Sequence, residues 1–208
     1  MALDNFANLK ASIVSYSGRD DLSPNMDDFI ALAEEQMYSN NGSELRLMTF
    51  STKVTLTTTA GDNFLALPSD YMEAQSIAIV SSGETTDLIY HSPPALRLRS
   101  GTGTPQFYSI TDTLIFDISP DDIYDIELTY YAKPTALSSA NPTNYVLTNF
   151  PSIYLFGALA QVYDFTDDLQ NSEAFARKFI LRVRAAVKGD SKARIGTVAQ
   201  AQVRGSTP

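Results

Sequence analysis

The sequence predicts an α+β fold: a helical body of two N-terminal and two C-terminal helices, an inserted antiparallel β lobe and an extended C-terminal tail. Three observations carry this prediction. Apolar residues recur at steps of three and four before residue 50 and again after residue 150. From Ser51 the period shortens to two, with Val54, Leu56 and Thr58 alternating with Thr55 and Thr57. The order is therefore helices, strands, helices, which places one β lobe inside one helical body. The expected division is 1–50 (first half of the helical body), 51–133 (inserted β lobe), 134–188 (second half of the body) and 189–208 (extended docking tail).

The first helix is expected over 4–17. Asp4 can cap it, Phe6, Leu9, Ile13 and Tyr16 line one side, and Gly18 suits the left-handed residue that ends a helix. A second helix begins near Ser23-Pro24-Asn25, with Ser23 or Asn25 as cap and Asp27 and Asp28 complementing its positive end. Its stripe is Phe29, Ile30, Ala33 and Met37, and Asn40-Asn41-Gly42 ends it. A short helical turn is expected around Glu44–Met48. In the β lobe, Ala60-Gly61-Asp62-Asn63 is a turn from which Phe64–Leu67 returns, and Ala74–Val80 with Thr85–Tyr90 reads as a hairpin. Pro93–Ser100 is expected to form one or two helical turns. Phe107–Ile110, Thr113–Ile118 and Tyr124–Tyr131 read as a three-strand meander. Lys133–Asn149 is a linker. The helix over Ile153–Phe165 is apolar all round, so it needs burial on every side, which points to help from a neighbouring subunit. Phe156 and Leu159 on this helix, with Leu181 and Arg182 on the next, are the expected subunit contacts. The last helix follows Thr166-Asp167-Asp168 and stops at Gly189.

Composition narrows the chemistry. The 208 residues hold no cysteine and one histidine, His91, so thiol nucleophiles, Cys-ligated zinc, iron–sulfur clusters and His-rich metal sites are excluded. The N-terminus has no basic region followed by an apolar one, as a signal peptide requires, and no apolar run approaches the roughly 18 residues of a membrane span. The expected class is a soluble protein made in a reducing compartment. Net charge is −9, unevenly spread. Residues 173–208 hold eight basic side chains against Glu173 and Asp190, while 1–172 hold seven against 22 acids. A basic C-terminal end on an acidic body points to an acidic partner and away from general nucleic-acid binding.

No catalytic constellation emerges. The pairs Asp20-Asp21, Asp27-Asp28, Asp121-Asp122 and Asp167-Asp168 read as caps and turns, because adjacent carboxylates seldom face one another across a cleft. Asp117, Asp121, Asp122 and Asp125 fit no calcium-loop spacing. His91 has no nucleophile elbow to serve, and Gly101-x-Gly103 lacks the third glycine of a nucleotide fingerprint. Neither an enzyme nor a cofactor is expected.

The order of several short stretches resembles the head-to-tail adaptor proteins of short-tailed bacteriophages. They are Phe6-x-x-Leu9-x-x-x-Ile13 leading to Gly18-Arg19-Asp20-Asp21-Leu22, then Phe29-Ile30-Ala31-Leu32-Ala33-Glu34, Leu45-Arg46-Leu47-Met48 and Leu67-Pro68-Ser69-Asp70-Tyr71. After them come Ile126-Glu127-Leu128-Thr129-Tyr130-Tyr131-Ala132-Lys133-Pro134, Asn141-Pro142-Thr143-Asn144-Tyr145 and Tyr154-x-x-Gly157-Ala158-Leu159. The likeness runs over most of residues 5–165. Tyr38–Glu44 is longer than the family's turn, and Tyr145 stands where the family carries Trp. The resemblance implies a non-catalytic virion protein at the head–tail junction, assembled in the host cytoplasm. It implies copies in a twelvefold ring beneath the portal protein, a DNA channel passing through without specific binding, no membrane, and a platform for the tail nozzle protein. It also implies that the C-terminal segment grips the portal. Lys192, Arg194 and Arg204 are then ionic guides, and Ile195, Val198 and Val203 apolar anchors. Two rival readings stay open: another virion neck or connector subunit, and a carbohydrate-binding tail module on the Tyr-rich β lobe.

Overall fold

The computed structural model describes residues 3–39, 44–81 and 83–195, with side chains to residue 192. The class is α+β, and the chain divides into two compact units, Met1–Met48 with Pro134–Pro208, and Thr49–Lys133.

The helical unit contains α1 (Phe6–Ser17), α2 (Met26–Tyr38), α3 (Tyr145–Asn149), α4 (Pro151–Phe165) and α5 (Leu169–Ile195). The N-cap of α1 is Asn5, not Asp4: the Asn5 side chain accepts the Asn8 N–H at 2.9 Å, while Asp4 accepts from the Asn8 amide side chain. Gly18 ends the helix at φ +66°, its N–H bonded to the Val14 carbonyl. Pro24 lies inside a 3-10 turn over Asp20–Asn25, so α2 starts only at Met26. Asn40-Asn41-Gly42, expected to end α2, lie outside the described residues. The stretch after them is not helical. Leu45 N–H bonds the Met37 carbonyl, Leu45 and Leu47 are fully buried, and a 3-10 turn follows at Met48–Phe50. Two buried leucines separated by one residue favour extended chain here.

The expected linker holds a helix of its own, α3, because the Asn144 side chain caps the Leu147 N–H. In α4, the ideal Cβ position of Gly157 lies 3.0 Å from the Ala33 Cβ and 3.1 Å from the Phe179 ring, so α2, α4 and α5 close on one another at a site without a side chain. Between α4 and α5, Asp167 takes the left-handed conformation at φ 57°, and Asp168 accepts the Asn171 N–H. Gly189 does not stop α5, which continues to Ile195. A helical glycine costs only about 1 kcal/mol relative to Ala, and the next residue, Asp190, accepts the Met48 N–H at 3.0 Å, which ties this last stretch to the unit. The expected tail from 189 is therefore helical as far as Ile195.

The β unit has eight strands: β1 (Ser51–Thr57), β2 (Phe64–Ala66), β3 (Tyr71–Ser81), β4 (Glu84–Asp87), β5 (Ile89–Tyr90), β6 (Phe107–Ile110), β7 (Thr113–Phe116) and β8 (Asp125–Ala132). They form two four-stranded sheets, in the orders β1-β8-β3-β4 and β2-β7-β6-β5. The lobe is not wholly antiparallel, since β5 runs parallel to β6. The meander does not form: β6 and β7 make a hairpin, but β8 crosses to the other sheet and pairs with β1 and β3. Likewise β2 does not return on β1 but pairs with β7. Pro93–Ser100 closes one hydrogen-bonded turn at the Ser92 carbonyl and goes no further.

Both exchanges have one cause. Ile77, Ile79, Ile126, Leu128 and Tyr130 of the first sheet and Tyr108, Leu114 and Phe116 of the second pack into a single core. Placing β8 centrally in the first sheet buries its apolar face more fully than an edge position can. At one end of this core the Tyr130 hydroxyl donates to Asp70 at 2.9 Å, and Tyr71 stacks on its ring at 5.8 Å. Burial, then the bond to the Asp70 carboxylate, push the Tyr130 hydroxyl up to about 12. A raised folded-state value means that this contribution is complete below the ordinary tyrosine value near 10 and is lost as pH rises through 12. Unfolding free energy measured between pH 9.5 and 11.5 is expected to fall less steeply in Tyr130→Phe than in the parent; parallel curves would refute this.

Candidate functional site

Three places in the structure gather chemistry-bearing side chains. In the helical unit, the acid Glu34 sits in the apolar stripe of α2 and is 5% exposed. Its Oε1 accepts the Leu137 N–H at 2.9 Å and the Tyr154 hydroxyl at 2.7 Å, and the Tyr154 oxygen accepts from Asn144 Nδ2 at 2.6 Å. Burial, then Tyr38 and the Glu34 carboxylate, hold the Tyr154 hydroxyl far above its usual value; burial and Glu34 do the same for Tyr38. Hydroxyls held neutral in this way donate bonds and do not take up or release protons near neutral pH. This network joins α2, the segment entering α3, and α4, and its chemistry is structural.

In the β unit, Asp117 is buried. Its carboxylate accepts from Arg99 Nε at 2.6 Å and from the Gln106 and Phe107 N–H groups at 3.1 Å. Those three donors occupy the oxygens a calcium ion would need. Asp121 accepts from the Tyr124 hydroxyl and Asp122 from the Ile123 N–H, which are turn bonds. No group of three acidic or histidine residues converges as a metal site among the described residues. His91 packs edge-on against Phe107 at 4.8 Å, beside a hollow of about 180 Å3 shared with Arg97 and Arg99. The exposed aromatics Phe64 and Tyr90 belong to β2 and β5, at opposite edges of one sheet, so they do not form a shared stacking platform.

The third place is the outer face of α4 and α5. Phe156, Lys178, Leu181 and Arg182 line a surface hollow of about 340 Å3. Lys178 Nζ lies 4.3 Å from the Phe175 ring centre and 5.8 Å from that of Phe156, and Phe175 stacks on Tyr163 at 5.4 Å. Leu181 is 64% exposed, against the usual behaviour of a large aliphatic side chain on an amphipathic helix. Phe156, Leu181 and Arg182, three of the four expected subunit contacts, thus border one hollow. The fourth, Leu159, is wholly buried, because α4 is wrapped by α1, α2, α3 and α5 of its own chain. Its burial needs no other subunit, so Leu159 is corrected from a contact to a core residue. Leu159→Ala is expected to lower unfolding free energy by about 3 kcal/mol, whereas Phe156→Ala, at a half-buried position, costs about 1 kcal/mol. Urea melts of both variants check the contrast, and equal losses would contradict it.

Of the expected portal-docking residues, Lys192 is exposed on α5, and Arg194 and Ile195 belong to the last turn of that helix. Val198, Val203 and Arg204 lie outside the described residues. Among the described residues no helix is long and apolar enough to cross a membrane.

The sequence reading missed Glu34, Tyr154, Asn144 and the Arg99–Asp117 pair. A signal for the first was present, since a charge four residues after Ile30 and three before Met37 falls inside the apolar stripe. Nothing local marks Arg99 and Asp117, which lie 18 residues apart.

No curated protein matches the chain. Over residues 4–204 it matches the model of the family described as SU10 adaptor protein, and with nearly its whole length covered the chain belongs to that family of structural head-to-tail adaptors of the bacteriophage virion.

Proposed function

We propose that this chain binds beneath the portal ring at the head–tail junction, continues the DNA channel and provides the platform on which the tail nozzle protein assembles. Copies stand side by side in a ring of twelve, put together in the host cytoplasm. The observation that carries this reading is the adaptor family match over residues 4–204. The charge distribution supports it: residues 1–172 are strongly acidic, which suits a wall past which phosphate must slide without adhering. Glu34 and Tyr154 join helices, and Asp117 joins a loop to a strand, through buried hydrogen bonds, which suits a role in assembly.

The test is native mass spectrometry with co-sedimentation on purified portal rings. A net charge of −9 opposes self-association, so the chain alone at micromolar concentration is expected to be monomeric. Portal rings are expected to recruit it in a fixed multiple. Failure to sediment with the portal would overturn the reading. A stable ring without the portal would overturn the template requirement.

A further inference from the structure

We propose that neighbouring copies join head to tail, the basic outer face of α5 on one copy meeting the acidic outer face of α2 on the next. The inference rests on the reading of the chain as a ring-forming adaptor and names the two faces that close the ring.

Each face carries one exposed leucine among charges of one sign. On α5, Leu181 points away from the buried Phe179, Val183 and Ala186, and Arg177, Lys178, Arg184 and Lys188 fall within about 60° of it at 3.6 residues per turn. On α2, Leu32 is 43% exposed, with Asp28 one turn before it and Glu35 three residues after, both exposed. Among the described residues Arg184, Lys188, Asp28 and Glu35 form no ion pair. Like charge prevents either face from meeting its own kind, which works against a two-fold dimer. Opposite charge joins one face to the other, and such a contact leaves a complementary face free at each end, so it propagates and closes as a ring. The leucines supply an apolar centre, and the hollow lined by Phe156, Lys178, Leu181 and Arg182 offers a seat for Leu32. From Arg177 to Lys188 and from Asp28 to Glu35 the charged faces run only about three and two helical turns. Contacts this small hold once a template has gathered the copies, which agrees with a chain that is monomeric when free.

The absence of native cysteine makes the contact directly testable. The double variant Leu32→Cys/Leu181→Cys is oxidised mildly, both bound to portal-bearing capsids and as concentrated free protein at low salt. Both positions are exposed, so the fold tolerates the change. A ladder of disulfide-linked multimers is expected in the portal-bound arm, with each single variant giving at most dimers. A second variant reverses Arg184, Lys188, Asp28 and Glu35 together. It is expected to form the ladder with itself at least tenfold faster than when only Arg184 and Lys188 are reversed. No ladder in either arm overturns the inference, as does binding of duplex DNA by the α5 face in place of a ladder. Co-sedimentation with the portal is scored separately. A chain that sediments without laddering refutes this interface and leaves the adaptor reading; one that ladders without sedimenting does the reverse.

Discussion

Glu34→Ala is expected to lower the unfolding free energy of the helical unit by about 4 kcal/mol, a large part of the roughly 5–15 kcal/mol that holds most domains folded. The substitution strands two buried donors at once, the Leu137 N–H and the Tyr154 hydroxyl, which both end on one carboxylate oxygen. Each stranded donor costs about 1–3 kcal/mol, and bonds to a charged acceptor lie at the upper end. Glu34→Gln keeps an acceptor oxygen and is expected to fall between alanine and the parent. Tyr154→Phe removes one donor and leaves Asn144 Nδ2 with its bond to the Thr135 carbonyl alone, at a cost of about 2 kcal/mol. In a double-mutant cycle Glu34→Ala and Tyr154→Phe are expected to couple, because the second change relieves part of what the first leaves unpaired. Urea unfolding followed by circular dichroism measures all four proteins. A Glu34→Ala variant within about 1 kcal/mol of the parent would show that the network carries no such stability.

The same residue shows how far the sequence could be read. Local signals worked where the cause is local: the φ of Gly18, the apolar stripe of α2 and that of α1 apart from Tyr16, which is exposed, and the alternation of β1 depend on residues within one element. They failed where the deciding partner lies far along the chain. The placement of β8 between β1 and β3 depends on a core shared by two sheets, and no feature of Asp125–Ala132 itself distinguishes that arrangement from a meander. Gly189 matches the pattern of a helix stop, yet the bond from Met48 to Asp190 reaches back 142 residues and the helix runs on. The all-round apolar α4 predicts burial on every side with help from a neighbouring subunit; four helices of the same chain, two of them N-terminal to the β unit, supply most of that cover, and Phe156 stays half-buried. Leu159 was therefore misplaced, while Phe156 and Leu181, at the margin of that cover, border an open hollow. The adaptor family was legible because short motifs in fixed order survive where pairwise contacts cannot be guessed.

Deleting residues 196–208 is expected to abolish portal binding while leaving the melting temperature within about 2 °C of the parent, a shift worth less than 1 kcal/mol for a chain of this size. The cut falls beyond the last turn of α5, so it keeps Asp190 and its bond to Met48. A cut at 190 removes that bond, and its effect on binding would be confounded with a loss of stability. The deleted segment has Val198 and Val203 as its only large apolar residues and Arg204 as its only charge. Two valines buried in a partner contribute about 3 kcal/mol together, equivalent to at least a hundredfold in affinity. The response is expected to be graded. Reversing Arg194 and Arg204 slows association, with a larger effect at low salt, because charges guide the approach. Val198→Asp speeds dissociation, because an unpaired carboxylate is costly in an apolar groove. Surface-binding kinetics on immobilised portal rings separate the two effects. Parental affinity in the 196–208 deletion would sink the idea and move the attachment to the exposed lysines and arginines of α5, a result that would also compete directly with the use of that face between neighbouring copies.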